Sequence, residues 1–144
     1  MKAYEIAKAF ADIFAGAQVV TGAVYLIEQS GGQFALPALI FEATVKPMND
    51  KGSALTYTLT IWIEGTADRA ADSDPDPALA QAARVELVRD VVNGTQKNDL
   101  LDALNAGGAY GFDFRNWSAL ESDPGIEASH FRTPIAIAGI ALVL

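Results

Sequence analysis

One run, Leu55 to Ile63, constrains the fold of this chain more than any other stretch. Leu55, Tyr57, Leu59, Ile61 and Ile63 alternate there with Thr56, Thr58, Thr60 and Trp62. A strict period of two sends alternate side chains to opposite faces of a β-strand. One face is apolar and the other is mostly threonine, so the strand lies in a sheet covered on one side and at least partly wet on the other. That division favours an antiparallel sheet over a doubly wound parallel one, whose strands are apolar on both faces. Trp62 is the exception on the polar face. It either caps a second cluster or sits at a subunit contact.

The flanking sequence supplies the other elements. Residues 2–15 form an amphipathic helix, with Ile6, Phe10, Ile13 and Phe14 on one face and Gly16 as a helix stop. Strands are expected at about 18–28 and 34–46, separated by a turn at Ser30-Gly31-Gly32, with Pro37 marking an edge or a bulge. Asp76 is placed as an N-cap with Pro77 at the first helical position, opening a helix that runs to about Asn93. Its buried stripe is expected to be Ala80, Ala83, Leu87, Val88, Val91 and Val92. A second short helix, Lys97 to Asn105, stops at Gly107-Gly108. Tyr110 to Trp117 alternates as a strand, and Ser118 to Ser129 reads as a polar loop. In the final segment the large residues shift from odd positions (Ile135, Ile137) to even ones (Ile140, Leu142) across Gly139, the pattern a β-bulge would produce. The expected order is α, three β, two α, two β: a single α+β domain over residues 1–144, with a mainly antiparallel sheet of about five strands. Leu59 and Ile61 are expected near the middle of its buried face.

Composition narrows the function by exclusion. The chain has 144 residues, 51% of them hydrophobic and 19% charged, enough apolar material for one core and too much for a disordered chain. Eighteen Asp and Glu against ten Lys and Arg leave a net charge of −8, and the basic residues are scattered. Duplex binding rests on cationic side chains displacing counterions, so direct sequence-specific nucleic-acid binding is not expected, nor is docking on an anionic membrane. No cysteine is present, which removes disulfides, thiolate metal sites and thiol catalysis. The start carries Glu5 where a signal peptide would begin its apolar run, and the apolar stretch from Pro134 to Leu144 is about half a membrane span. A soluble protein is expected, cytoplasmic in a bacterial host.

No constellation of residues specifies catalysis, a cofactor or a metal. His130 is the sole histidine, so no His pair or HExxH site can form; it reads as a partly exposed residue entering the last strand. Asp72-Ser73-Asp74-Pro75-Asp76 begins like a calcium loop, but Pro77 stands where glycine is needed and Ala83 where glutamate is needed. Gly107-Gly108-Ala109-Tyr110-Gly111 precedes a strand, whereas phosphate-cradling glycines open a helix. Asp113, Glu121, Asp123 and Glu127 are candidates for an acid–base pair only in number, since their spacing says nothing of their separation. The aromatic group of Tyr110, Phe112, Phe114 and Trp117 reads as core.

Three features, taken in order, resemble a known family: the N-terminal helix (Ala3 to Phe14), the run Leu55 to Ile63 within a three-strand block, and the Pro77-started helix followed by a final strand from Ile135 to Leu144. This order is similar to that of tail terminator and related minor tail or neck proteins of long-tailed bacteriophages. The resemblance spans nearly the whole chain and rests on element order and length; the second short helix and the segment 118–129 have no counterpart in it. It implies a non-enzymatic subunit, without cofactor or catalytic residue, that self-associates as a ring of about six copies at the end of a tail tube and contacts other tail or neck proteins. Such a protein ends in the virion. A negative lumen would repel DNA phosphates, while the plainer use of the charge is solubility. The interface residues under this reading are Trp62, Thr58 and Thr60, with Asp72 and Asp74 on the acidic loop. Two alternatives stand beside it: a small-molecule or peptide binding module using the Thr/Trp62 face as a groove, and an enzyme of unrecognised type.

Overall fold

The chain's structure, a computed structural model, describes residues 2–17, 23–26, 36–66, 76–94, 97–108, 110–112, 118–121, 125–127 and 130–144. These include helices α1 (Lys2–Ala17), α2 (Pro77–Asn93) and α3 (Lys97–Ala106). The strands are β1 (Ala23–Leu26), β2 (Ala38–Pro47), β3 (Ala54–Thr66), β4 (Tyr110–Phe112), β5 (Ser118–Glu121), β6 (Gly125–Glu127) and β7 (His130–Val143). They join in one sheet ordered β1-β2-β3-β7-β4, with β5 and β6 also on the far edge of β7. β1 runs parallel to β2, and the other pairings are antiparallel. The class is α+β. The antiparallel part is four strands wide rather than five, because β4, β5 and β6 lie end to end along β7 and share one place in the order.

The strand that alternates best in the sequence is the central one. β3 pairs with β2 from Ala38↔Glu64 to Pro47↔Leu55, and with β7 from Ala54↔Leu142 to Thr66↔His130. Leu55, Tyr57, Leu59, Ile61 and Ile63 are all buried, as their period requires. Over that face lie Ile6, Phe10 and Phe14 of α1, Val85, Val88 and Val92 of α2, and Leu100, Leu101 and Leu104 of α3. Aromatic rings lock α1 to the sheet: Phe14 meets Phe41 at 5.3 Å between centroids, and Phe10 meets Tyr57 at 5.9 Å and Phe112 at 5.8 Å. Each such side chain contributes about 1.5–3 kcal/mol by leaving water. At the start of α2, Asp76 Oδ1 accepts from the Ala78 amide at 2.8 Å, satisfying one of the free donors of the first turn.

Four expectations are corrected. Gly139 marks no bulge: the β3–β7 ladder passes through Tyr57↔Gly139 residue for residue. Ile135, Ile137 and Ala141 face the helices, while Ile140 and Leu142 lie on the opposite face of a regular strand. The missing side chain at 139 makes room for Tyr57, since a Cβ there would lie 2.7 Å from its Oη and 2.9 Å from its Cζ. The buried stripe of α2 also differs. Gln81, Val85, Val88, Val91 and Val92 are buried, whereas Ala83 and Leu87 are exposed; a buried polar anchor at Gln81 sets the rotation of the helix. Segment 118–129 contains two strands, β5 and β6, whose backbones pair with β7. Main-chain pairing at a sheet edge needs little apolar pattern. Finally, α1 continues through Gly16 to Ala17. The turn at 30–32, the start of the second strand near Phe34 and residues 113–117 lie outside the described residues.

Candidate functional site

The helices cover one face of the sheet, so the candidate site is the other. On β3 that outer face carries Thr56, Thr58, Thr60, Trp62 and Glu64, because alternate residues of a pleated strand share a face. The registers set Glu42 opposite Thr60 on one side, and Pro134 opposite Trp62 and Arg132 opposite Glu64 on the other.

At the Glu64 end the face is a bonded network. Trp62 Nε1 donates to Glu42 Oε1 at 2.8 Å, and the guanidinium of Arg132 stacks 4.1 Å from the Trp62 ring centroid. Arg132 Nε lies 3.1 Å from Glu64 Oε1. An opposite-charge pair directly across an antiparallel ladder and a cation over an indole face each contribute about 0.5–1 kcal/mol. Ala38 and Ile40 are buried on this same face and stand apart from the main core. Trp62 therefore belongs to a second, smaller cluster, and it remains half-buried.

Toward the Ala54 end the face opens. Thr56 and Thr58 are exposed, as is Thr44 beside them, while Ile140 is half-buried and Leu142 projects into solvent. Thr58, Thr60 and Trp62 thus stand in one row. Asp72 and Asp74 lie outside the described residues, as do Asp113 and Asp123. Glu121 ends β5 and Glu127 ends β6, paired with Ile135 and His130 respectively. His130 itself opens β7 opposite Thr66.

Of the recesses that the described residues form on the helical side, two are mostly apolar. One, of about 240 Å³, opens between α2 and β7, with Ala82, Val85 and Phe131 as walls and Gln81 and Thr133 at its base. Gln81 is the residue the sequence reading missed. Its Nε2 donates to the Ile63 carbonyl at 2.8 Å and to Thr133 Oγ1 at 3.3 Å, while its Oε1 accepts from Arg84 Nη2 at 3.0 Å. Burial lowers the pKa of Arg84. Gly65 permits this arrangement, since a Cβ there would lie 2.0 Å from Arg84 Nη2. The available signal was a glutamine at helical spacing from Val85, Val88 and Val92.

The second recess, about 460 Å³ between α1 and α3, is floored by Ile13, Leu104 and Phe112. Its polar groups bind one another: Lys8 holds Asp12 at 2.7 Å, and the Tyr110 hydroxyl donates to Glu5 Oε2. Burial, helped by the Glu5 bond, pushes the Tyr110 phenol up to about 12. Among the described residues no group of three or more His, Cys, Asp or Glu side chains is placed to hold a metal ion, and no helix is long and apolar enough to cross a membrane. What these surfaces offer is contact: threonine hydroxyls, aliphatic edges and paired charges. Compared with models of known protein families the chain matches none, and comparison with curated proteins likewise gives no match.

Proposed function

We propose that this chain is a structural subunit of a phage- or prophage-type tail, a terminator- or neck-like ring protein that acts by self-association and by contact with other tail proteins. The observation that carries this reading is the sheet face opposite the helices, whose open half combines exposed Thr56 and Thr58 with the projecting Leu142. Threonine hydroxyls beside aliphatic groups suit a surface that is wet in the free subunit and dry in an assembly, since each hydroxyl can find a partner across the contact. The wired end, with Trp62 held by Glu42 and Arg132, makes the face rigid, which lowers the entropic cost of docking. A net charge of −8 gives a ring of such subunits a negative wall past which DNA slides without sticking.

The test is assembly. Light scattering across a concentration series, together with addition of purified tail tubes that lack their terminal ring, is expected to show multi-subunit particles or capped tubes. Thr58→Arg, a change at an exposed position, is expected to weaken both. A protein that stays monomeric and leaves tubes uncapped overturns the reading. A second reading, a small-molecule or peptide binder, is favoured by the recess between α1 and α3, whose volume lies in the range of ligand pockets. Saturable binding of a metabolite or peptide that Ile13→Trp abolishes would select it.

A further inference from the structure

The recess between α2 and β7 has one polar group to spare at its base. Gln81 and Thr133 lie there, 3% and 1% exposed. The neighbours of Gln81 decide which end of its amide is which, because the Ile63 carbonyl can only accept and the Arg84 guanidinium can only donate. Both protons of Nε2 are therefore used, one on the Ile63 carbonyl at 2.8 Å and one on Thr133 Oγ1 at 3.3 Å. Both acceptor places of Oε1 are filled as well, by Arg84 Nε at 3.3 Å and Nη2 at 3.0 Å. Thr133 Oγ1 is an acceptor in this arrangement and keeps a proton of its own, for which the described residues provide no acceptor. A buried donor without an acceptor is costly, so it marks a place where one is wanted.

Above that hydroxyl the recess is apolar. Ala82, Val85 and Phe131 form its walls around about 240 Å³, and alanine at 82 keeps open the space a longer side chain would fill. An apolar cavity of about 150 Å³ is enough to take a benzene-sized group. Water fits the base poorly, since a held water needs two to four polar partners and only one donor is spare. At the mouth Glu86 Oε1 holds Arg89 Nη1 at 2.6 Å, so these two charges answer each other. A charged ligand would leave water without a counter-charge to meet it inside, which is unfavourable.

We propose that the α2–β7 recess binds a small uncharged molecule with an apolar body and one hydrogen-bond acceptor, such as an aryl ketone or ester, whose acceptor takes the Thr133 hydroxyl proton. The walls select a ring or short chain, the single spare donor selects one acceptor, and the cancelled charges at the mouth select a neutral ligand. Gln81 is a positioning residue: by donating to Oγ1 it turns the Thr133 proton away from α2 and toward the open space. The site is separate from the α1–α3 recess and does not depend on the assembly reading.

Three probes of similar shape test this by chemical-shift titration of the full chain. Acetophenone has the ring and the acceptor, ethylbenzene lacks the acceptor, and benzoate adds a charge. Acetophenone is expected to bind about two- to tenfold more tightly than ethylbenzene, the worth of one hydrogen bond, and benzoate more weakly than either. Thr133→Val removes the donor at nearly constant volume. It is expected to erase the preference for acetophenone while ethylbenzene binds as it does to the wild type. Ala82→Trp, at an exposed helix position, is expected to abolish binding of both neutral probes with an unchanged circular dichroism spectrum. Ile13→Trp, in the α1–α3 recess, is expected to change neither. No saturable binding of acetophenone up to its solubility overturns the proposal, as do equal affinities for the two neutral probes or tighter binding of benzoate. Binding that survives Ala82→Trp, or that Ile13→Trp removes, places the probe elsewhere and also overturns it. The wild-type comparison of the three probes decides the ligand class even where Thr133→Val does not fold, and light scattering tests the assembly reading apart from all of these.

Discussion

Replacing Gly139 by alanine tests the register of the whole sheet at one atom. A strand glycine exchanged for alanine at an unobstructed site gains about 0.5–1 kcal/mol, because the unfolded chain has less freedom to lose. Here the new methyl would lie 2.7 Å from Tyr57 Oη, 2.9 Å from Cζ and 3.1 Å from Cε1. Tyr57 has little room to retreat: its ring sits 5.9 Å from that of Phe10 and 5.6 Å from that of Phe112. Forcing a group into a packed core costs about 1–3 kcal/mol, so the net loss is expected to be about 1–2 kcal/mol, or roughly 3–8 °C in Tm. Tyr57→Phe provides the second arm. The Tyr57 hydroxyl is buried and has no hydrogen-bond partner, so removing it is expected to stabilise the protein by about 1 kcal/mol. In the double variant the 2.7 Å contact is gone and the 2.9 Å contact to Cζ remains, so part of the alanine penalty should be recovered as coupling between the two sites. Urea unfolding followed by tryptophan fluorescence measures all four proteins. If Gly139→Ala is as stable as the wild type or more so, no ring faces that position, and the continuous ladder replacing the expected bulge is refuted.

Three further outcomes follow from the core and the buried polar groups. Leu59→Ala is expected to cost about 2–5 kcal/mol in urea unfolding, since Leu59 is fully buried in the central strand; a loss under about 1 kcal/mol would mean the wrong face has been assigned. Gln81→Leu leaves Thr133 and the Arg84 guanidinium without their partner and is expected to cost about 2 kcal/mol by the same assay, whereas Ala83→Leu on the exposed side of α2 should be close to neutral; the reverse ranking would put the helix in the other rotation. Tyr57 and Tyr110 both have phenols raised above the ordinary value of 10.0, so each favours the folded state while protonated: the contribution is complete below pH 10 and is lost as pH rises, for Tyr110 through about 12. Phenolate absorbance should therefore show two tyrosines titrating late and together with alkaline unfolding, and early, reversible titration of all four tyrosines would contradict their burial.

Several parts of the fold were legible because a local rule decided them. The alternation from Leu55 to Ile63 is a strand on any reading, since no helix can place those residues on one face. Asp76-Pro77 opens α2 where it does because a carboxylate can cap the first amides and proline lacks an amide that would have no partner inside the helix. Other parts needed partners distant in sequence. β5 and β6 carry no strong pattern and are strands only because β7 offers them a backbone edge. The phase change at Gly139 has two local solutions, an inserted residue or a change of face, and the Tyr57 ring from another strand selects the second. α2 has apolar residues on both sides, so its sequence allowed two rotations, and the hydrogen bonds from Gln81 to Ile63 and Thr133 chose between them.

The candidate site divides the same way. That Thr58, Thr60 and Trp62 share a polar face was already determined by sequence, because a period of two is a property of the strand alone. That the Trp62 indole is held between Glu42 and Arg132 was decided only in tertiary structure, for those residues lie on two other strands and meet it through the registers of β2 and β7. The apolar edge at Met48 and Leu142 and the recess beside Ala82 likewise arise only after folding. Local sequence dictates which side chains can face together along one element, through backbone geometry. Which elements meet, and which apolar groups remain uncovered, depends on how the elements compete to bury their surfaces, and that competition is settled across the whole chain at once.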